Sequence, residues 1–199
     1  MDKTIKGWII SNFNESIEAK QKACAVLQEP VYNAAMLIIN AFKTGKKMLI
    51  CGNGGSAADS QHFAAEFTGR YEMERTPLPA IALTTDTSAI TAIGNDYSFE
   101  VIFSKQVEAL GKSGDILFCI STSGNSANVV KAIEVAHNKG MHVIGLTGRD
   151  GGKIAQILQS SDVLINAPLN RTARVQETHI LVLHTLCDVI DNVLFTLTK

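Results

Sequence analysis

The sequence has almost no net charge, because 18 lysine and arginine residues are set against 19 aspartate and glutamate residues, for a formal charge of -1. A chain without an excess of either sign has no general attraction for nucleic acid or for an anionic membrane surface. It also lacks an apolar run of about 18 residues, the length of a membrane-spanning helix. The first residues lack the apolar core and cleavage site of a signal peptide. These absences predict a cytoplasmic protein that binds neither nucleic acid nor membranes.

Cysteine is scarce, and its spacing matches no metal-binding or redox motif. The four cysteines, Cys24, Cys51, Cys119 and Cys187, form no CxxC pair. Buried cysteine behaves as a small hydrophobe, so we predict reduced core residues. With 46% hydrophobic residues among 199, the chain can build a substantial core. No linker or repeat divides it, which predicts a single domain over 1–199 with the helical segment 1–45 packed on it.

Short apolar runs alternate with stretches of helical spacing. The runs predict strands at 47–51, 80–83, 116–120, 142–146 and 163–165. This alternation indicates an α/β fold, a three-layer αβα sandwich with a central parallel sheet of about five strands. N-terminal helices fill 2–45, with Pro30 in the first turn of the second, and a long C-terminal helix covers about 173–197. An N-terminal helix ahead of the sheet often forms an interface, so we expect an oligomer; packing of this helix on its own domain is the alternative.

The stretch DILFCISTSGNSANVVKAIEVA, residues 115–136, reads as a strand, a hydroxyl-rich loop and a helix. The first amide groups of a helix have no internal partners and carry the positive end of its dipole, so they can bind phosphate. Ser121, Thr122, Ser123 and Ser126 add four hydroxyls, and the loop contains no lysine or arginine, which favours a sugar monophosphate. Helix capping by Asn125 or Ser126 would explain only one or two of these residues.

A glycine loop follows the first strand. Gly52, Gly54 and Ala57 match the GxGxxA dinucleotide fingerprint, but the acidic residue required at the end of the next strand is missing, since Glu72 precedes that strand. Asn53 and Ser56 instead suggest polar contacts to the hydroxyls of a small ligand. If the strand order is flavodoxin-like, the chain reverses direction between the first and third strands, and their two loops flank one ligand crevice.

Two helices carry residues that could bind a metal. His62 and Glu66 are four residues apart, so both side chains lie on one helix face, as in a metal site or an ordinary solvated pair. In the last helix, Gln176 and His184 differ by eight residues, about 80° around the axis and about 12 Å along it. Spacing alone therefore does not bring these two residues to one ion.

Five motifs occur in order over essentially the whole chain: CGNGGSAADSQHFAAEFTGRY, IGNDYSFEVIFSKQVEALG, STSGNSANVVKAI, LTGRDGGK and RVQETHILVLH. Together they resemble the phosphoheptose isomerases of the sugar isomerase (SIS) superfamily. The resemblance implies a flavodoxin-like SIS domain that isomerises sedoheptulose 7-phosphate to D-glycero-D-manno-heptose 7-phosphate, towards ADP-heptose and the lipopolysaccharide core. It also implies a homotetramer with active sites between subunits and zinc, one ion per subunit.

The resemblance also assigns roles to individual residues. It implies metal ligands at His62, Glu66, Gln176 and His184. Moving a proton between neighbouring carbons through an enediol requires a base and an acid, and we expect Glu66 and His184 in these roles. The substrate-binding positions implied by the matching motifs are Asn53, Gly54, Gly55, Glu66, Asn95, Asp96, Ser121, Thr122, Ser123, Ser126 and Gln176.

A second reading comes from relatives that bind the replication initiator and share this fold. As a member of that class the chain would be a tetrameric, non-catalytic SIS scaffold. Ala173 stands where many of the isomerases have an aspartate, and residues 187–192 resemble the ending of the initiator-binding class. Glu66 and His184, which that class lacks, are both retained here and favour the enzyme.

Overall fold

A computed structural model describes residues 4–196 and contains one five-stranded parallel sheet. Its strands are β1 (Met48–Gly52), β2 (Ala80–Ala82), β3 (Ile116–Ser121), β4 (His142–Gly148) and β5 (Val163–Ala167). All five strands lie where the apolar runs predict them, with ends that differ by at most two residues. The spatial order is β2-β1-β3-β4-β5, which confirms the flavodoxin-like prediction. The chain therefore switches direction between β1 and β3, and their carboxyl ends open into one crevice.

Seven α-helices cover the two faces of the sheet within the described residues. They are α1 (Ile5–Lys43), α2 (Gly55–Thr68), α3 (Thr87–Asp96), α4 (Ile102–Leu110), α5 (Ala127–Asn138), α6 (Gly152–Ile157) and α7 (Thr172–Asp191). A 3-10 turn at Phe99–Val101 leads into α4, and a π-helical turn at Asn192–Thr196 follows α7. The prediction of a long C-terminal helix is confirmed up to residue 196, and its expected last residue, 197, lies outside the described residues.

The core has two parts because successive strand residues point to opposite faces. Met48 and Ile50 of β1 pack with α1, α2 and α7, whereas Leu49 and Cys51 pack with α4, α5 and α6. The three-layer αβα sandwich follows from this alternation. Three of the four cysteines are buried and all are free, but the expectation of a core position is wrong for Cys24, which is exposed on α1.

The N-terminal region is one helix of 39 residues rather than two, so the predicted break before Pro30 is wrong. Proline removes one backbone N–H, but the buried stripe of α1 continues on both sides of it, with Leu27 before and Ala34 and Ala35 after. Both halves are held on the same core by α7 and β5. Tertiary packing therefore outweighs the local signal of the proline.

The C-terminal helix is long and apolar enough to cross a membrane when judged by length and composition alone. Core helices of globular proteins pass the same test. Here Leu183, Leu186 and Ile190 are buried against the sheet and α1, as expected of a core helix.

Candidate active site

The hydroxyl-rich loop at the end of β3 leads directly into α5. Ser126 is the N-cap residue of α5, yet its side chain makes no capping hydrogen bond. Its Oγ lies 3.0 Å from Oγ of Ser121 instead, so the two hydroxyls hold each other across the loop. Ser126 therefore does not cap α5 through its side chain. The first amide groups of α5 face the crevice, and the side chain of their N-cap residue accepts no hydrogen bond from them.

This loop is fixed against the loop that follows β4. Gly124 has φ +66°, and a Cβ atom there would lie 1.9 Å from the carbonyl oxygen of Gly151, so only glycine fits. The amide of Ile154 donates to the carbonyl of Gly124 at 2.9 Å, and the amide of Lys153 donates to Oδ1 of Asn125 at 3.0 Å. These two hydrogen bonds connect the loop that carries Ser121, Thr122, Ser123 and Ser126 to the loop that follows β4.

The glycine loop at the end of β1 is tied to the same helix. Asn53 and Asn128 exchange two amide hydrogen bonds, with N···O distances of 2.8 and 2.9 Å. Asn128 is 3% exposed and lies in the first turn of α5. The crevice is therefore bridged by an asparagine pair, of which sequence reasoning identified only Asn53. The sequence signal that could have identified Asn128 is its place in the first turn of a helix that follows a predicted ligand loop.

His62, Glu66 and His184 come together from two helices. Nε2 of His62 lies 3.1 Å from Oε1 of Glu66, as the i,i+4 spacing on α2 predicts, and 2.9 Å from Nε2 of His184 on α7. The three donor atoms all lie within 4.8 Å of one another. The histidine rings meet edge to face at 5.1 Å, and Tyr71 lies 5.7 Å from the ring of His184.

These three side chains fit a zinc ion in chemistry and in spacing. Imidazole nitrogen and carboxylate oxygen are preferred zinc ligands, at about 2.0–2.2 Å, and tetrahedral ligands at that distance have donor atoms about 3.3 Å apart. The separations of 2.9 and 3.1 Å in this cluster are close to that value. The cluster is also accessible, since the side chain of His62 is 43% exposed.

Gln176 lies elsewhere in the same chain. A Cβ atom built on Gly55 would fall 2.3 Å from its Nε2 atom, so the carboxamide covers the start of α2. His62 is seven residues further along α2, about 10 Å by helix rise. Within one chain, Gln176 therefore faces the glycine loop, Asn53 to Gly55, rather than the cluster of His62, Glu66 and His184.

Asn95 and Asp96 lie at the C-terminal end of α3, where both are exposed. Their one described side-chain hydrogen bond joins Nδ2 of Asn95 to Oδ1 of Asp96 at 2.9 Å. The structure does not bring them against the other predicted site residues within the described chain. Their exposure leaves both available to a ligand or to another subunit.

Asp59 is a polar neighbour of the cluster that sequence reasoning missed. It lies one turn before His62 on α2, and its Oδ2 atom is buried without a hydrogen-bond partner in residues 4–196. Burial raises the pKa of this carboxyl group, and the nearby His62 partly offsets that effect. The sequence signal that could have identified Asp59 is its i,i+3 spacing from His62, which makes the two side chains neighbours on the helix surface.

Comparison with known proteins identifies the family. The SIS domain family model matches residues 12–148. A phosphoheptose isomerase of Neisseria meningitidis serogroup C is 63% identical over 191 residues, 96% of this chain and 97% of that protein. The chain belongs to the phosphoheptose isomerase family. A phosphoheptose isomerase of Shewanella denitrificans is 56% identical over 187 residues, 94% of this chain and 95% of that protein.

Two solved phosphoheptose isomerases have the same fold over nearly their full length. The structure from Neisseria gonorrhoeae is 58% identical with a TM-score of 0.91, and the match covers 95% of this chain and 100% of that one. The structure from Francisella tularensis is 44% identical with a TM-score of 0.93, covering 95% and 99%. The phosphoheptose isomerase fold therefore includes α1 and α7 as well as the sheet.

Proposed function

We propose that this chain isomerises sedoheptulose 7-phosphate to D-glycero-D-manno-heptose 7-phosphate in the cytoplasm, a step of heptose biosynthesis. The observation that carries the proposal is the convergence of His62, Glu66 and His184, which the sequence placed on two separate helices. The substrate has its phosphate at one end and its reacting carbons at the other, so a site for it needs two separate centres. The loop 121–126 and this three-residue cluster supply them.

The proposed chemistry is a proton transfer between neighbouring carbons through an enediol. Glu66 takes the proton from one carbon and returns it to the next, and His184 moves the hydroxyl proton between the two oxygens. Oε1 of Glu66 faces His62, which leaves the second carboxylate oxygen for the substrate. The phosphate is held by the hydroxyls of loop 121–126 and the first amides of α5, so the reacting end is positioned from a distance.

The zinc ion, one per subunit, would be held by His62, Glu66 and His184 of one chain, with Gln176 as the further ligand implied by the resemblance. When bound, zinc polarises the oxygens of the sugar. The amide of Gln176 is a less usual zinc ligand than imidazole or carboxylate. Its position over Gly55 supports a contact with the substrate from the glycine loop.

The proposed assembly is a homotetramer with sites between subunits. The N-terminal half of α1 exposes large apolar side chains at spacings of three and four residues, which places them along one side of the helix. They are Ile5, Trp8, Ile9, Phe13 and Ile17, each at least 54% exposed. A row of five exposed large apolar side chains on one helix supports an interface with another copy of the chain.

The test is isomerase activity on sedoheptulose 7-phosphate with purified protein, protein stripped by a chelator, and stripped protein with zinc restored. Glu66→Gln keeps the size of the side chain but removes the base, and we expect turnover to fall at least about a thousandfold while the oligomer stays intact. Glu74→Gln is the matched control, because that carboxylate is 91% exposed. Wild-type protein without turnover would overturn the proposal and favour the initiator-binding scaffold.

A further inference from the structure

Arg75 follows α2 in the loop that leads to β2, and its side chain is 1% exposed. Nη2 donates to the carbonyl of Glu66 at 2.7 Å, and Nη1 donates to the carbonyls of Phe67 at 2.8 Å and Gly69 at 3.0 Å. Nε donates to Oδ1 of Asp191 at 3.0 Å. The guanidinium group therefore joins the end of α2 to a carboxylate on α7.

The carbonyl partners explain why a buried cation is tolerated at this place. The last carbonyls of a helix have no intrahelical partners and carry the negative end of the helix dipole. No basic residue lies in the last turn of α2, so Arg75 supplies the missing positive charge from the next loop. One of its acceptors is the carbonyl of Glu66, the residue proposed as the base.

The carboxylate partner lies on the helix that carries His184. Asp191 is the last residue of α7 and is 2% exposed, and it comes seven residues after His184, two turns along the same face. Its Oδ1 atom accepts from Nε of Arg75, whereas its buried Oδ2 atom has no hydrogen-bond partner in the described chain. The ion pair thus links α2 at residue 66 to α7 at residue 191.

We propose that Arg75 and Asp191 are positioning residues that fix α2 against α7, and thereby hold His62 and Glu66 against His184. The inference rests on the proposed role of that cluster. A buried ion pair contributes little net stability, because desolvation of both charges offsets their attraction. A pair with little net effect on stability can still hold two helices in one arrangement, and a positioning role agrees with that balance of desolvation and attraction.

The experiment compares Arg75→Met with the double variant Arg75→Met/Asp191→Leu. The single variant leaves a buried carboxylate unpaired and lowers Tm, whereas the double variant removes both charges and restores Tm. We expect kcat to be at least about tenfold lower than that of wild type in both variants, with KM within about twofold of the wild-type value. The reason is that loss of a residue that positions ligands or catalytic groups reduces activity or metal affinity about 10–100-fold. Zinc affinity, measured by competition with a chelator, should weaken about tenfold in both variants.

Asp188→Asn is the matched control, because Asp188 is an exposed carboxylate on the same helix, and it should leave kcat and zinc affinity unchanged. Recovery of kcat together with Tm in the double variant would overturn the positioning role and leave a purely structural pair. Glu66→Gln is assayed in parallel. Full activity in Glu66→Gln would refute the proposed site itself, whereas an inactive Glu66→Gln with fully active Arg75 variants would refute only the inference.

Discussion

His179 makes stability depend on pH in a direction that the structure defines. Its side chain is fully buried on α7, and Nε2 lies 2.9 Å from the carbonyl oxygen of Thr147 on β4. A carbonyl only accepts, so Nε2 carries the proton of the neutral ring, and Nδ1 is buried with no partner in residues 4–196. Burial lowers the pKa of His179 from 6.5 to about 4.

A lowered histidine pKa has no effect on stability where both states are neutral, and it costs stability where the unfolded chain binds a proton. Above pH 6.5 both states hold the neutral ring, so the full stability of the fold is present. Between pH 6.5 and about 4 the unfolded chain binds a proton that the folded chain does not, and stability falls as the pH falls. At pH 4.5 the loss from His179 alone amounts to about 2.5 kcal/mol.

The perturbation is His179→Gln, whose amide can still donate to Thr147 but does not titrate. Urea denaturation of both proteins at pH 7.5 and 4.5, at one protein concentration, gives the free energy of unfolding of each. We expect wild type to lose about 2.5 kcal/mol more than the variant between these pH values. Carboxylates titrate in both proteins and cancel in the comparison.

His142→Gln is the control for this measurement, since His142 is half-buried at the start of β4. It should leave the pH dependence of stability close to that of wild type. Equal losses in wild type and His179→Gln would show that His179 is not held neutral by burial. That result would refute the reasoning from its missing Nδ1 partner and from its fixed proton on Nε2.

Two further predictions concern the proposed active site. Replacing Ser121 and Ser123 together by alanine should raise KM for the sugar phosphate about tenfold or more with little change in kcat, because hydrogen bonds to charged groups contribute about 1.5–3 kcal/mol each; an unchanged KM would remove the phosphate assignment. Gln176→Ala and His184→Ala should each be inactive, and mixed oligomers reassembled from the two should regain activity if one site takes these residues from different chains. No recovery would place both residues of a site in one chain.

The sheet was predictable from the sequence because its two central strands, β1 and β3, are short and wholly buried. Each of these two strands carries an unbroken apolar run, which ends at a glycine in β1 and at a serine in β3. The continuity of α1 across Pro30 was not predictable from local signals, because it depends on the core that α7 and β5 provide. Local propensity and tertiary packing disagree there, and packing prevails.

The site was predictable in pieces. The loops of Asn53 and Ser121 follow from strand order, and the pair of His62 and Glu66 follows from helical spacing. The approach of His184 to that pair depends on how α7 packs beside α2. The spacing of apolar residues along each helix does not predict this packing. The buried charge of Arg75 was equally hidden, since an arginine in a polar loop has the sequence pattern of an exposed residue.

The offset between Gln176 and His184 is the strongest physical reason to expect a shared site between subunits. The two residues are eight positions apart on one straight helix, about 12 Å. In the structure they face different parts of α2, Gln176 at Gly55 and His184 at His62. Ligands of one zinc ion have donor atoms no more than about 4.5 Å apart, given metal–ligand distances of about 2.0–2.3 Å. If both residues bind one ion from the positions that they have in the structure, a second chain must supply one of them, and the exposed apolar side of α1 offers a surface for that contact.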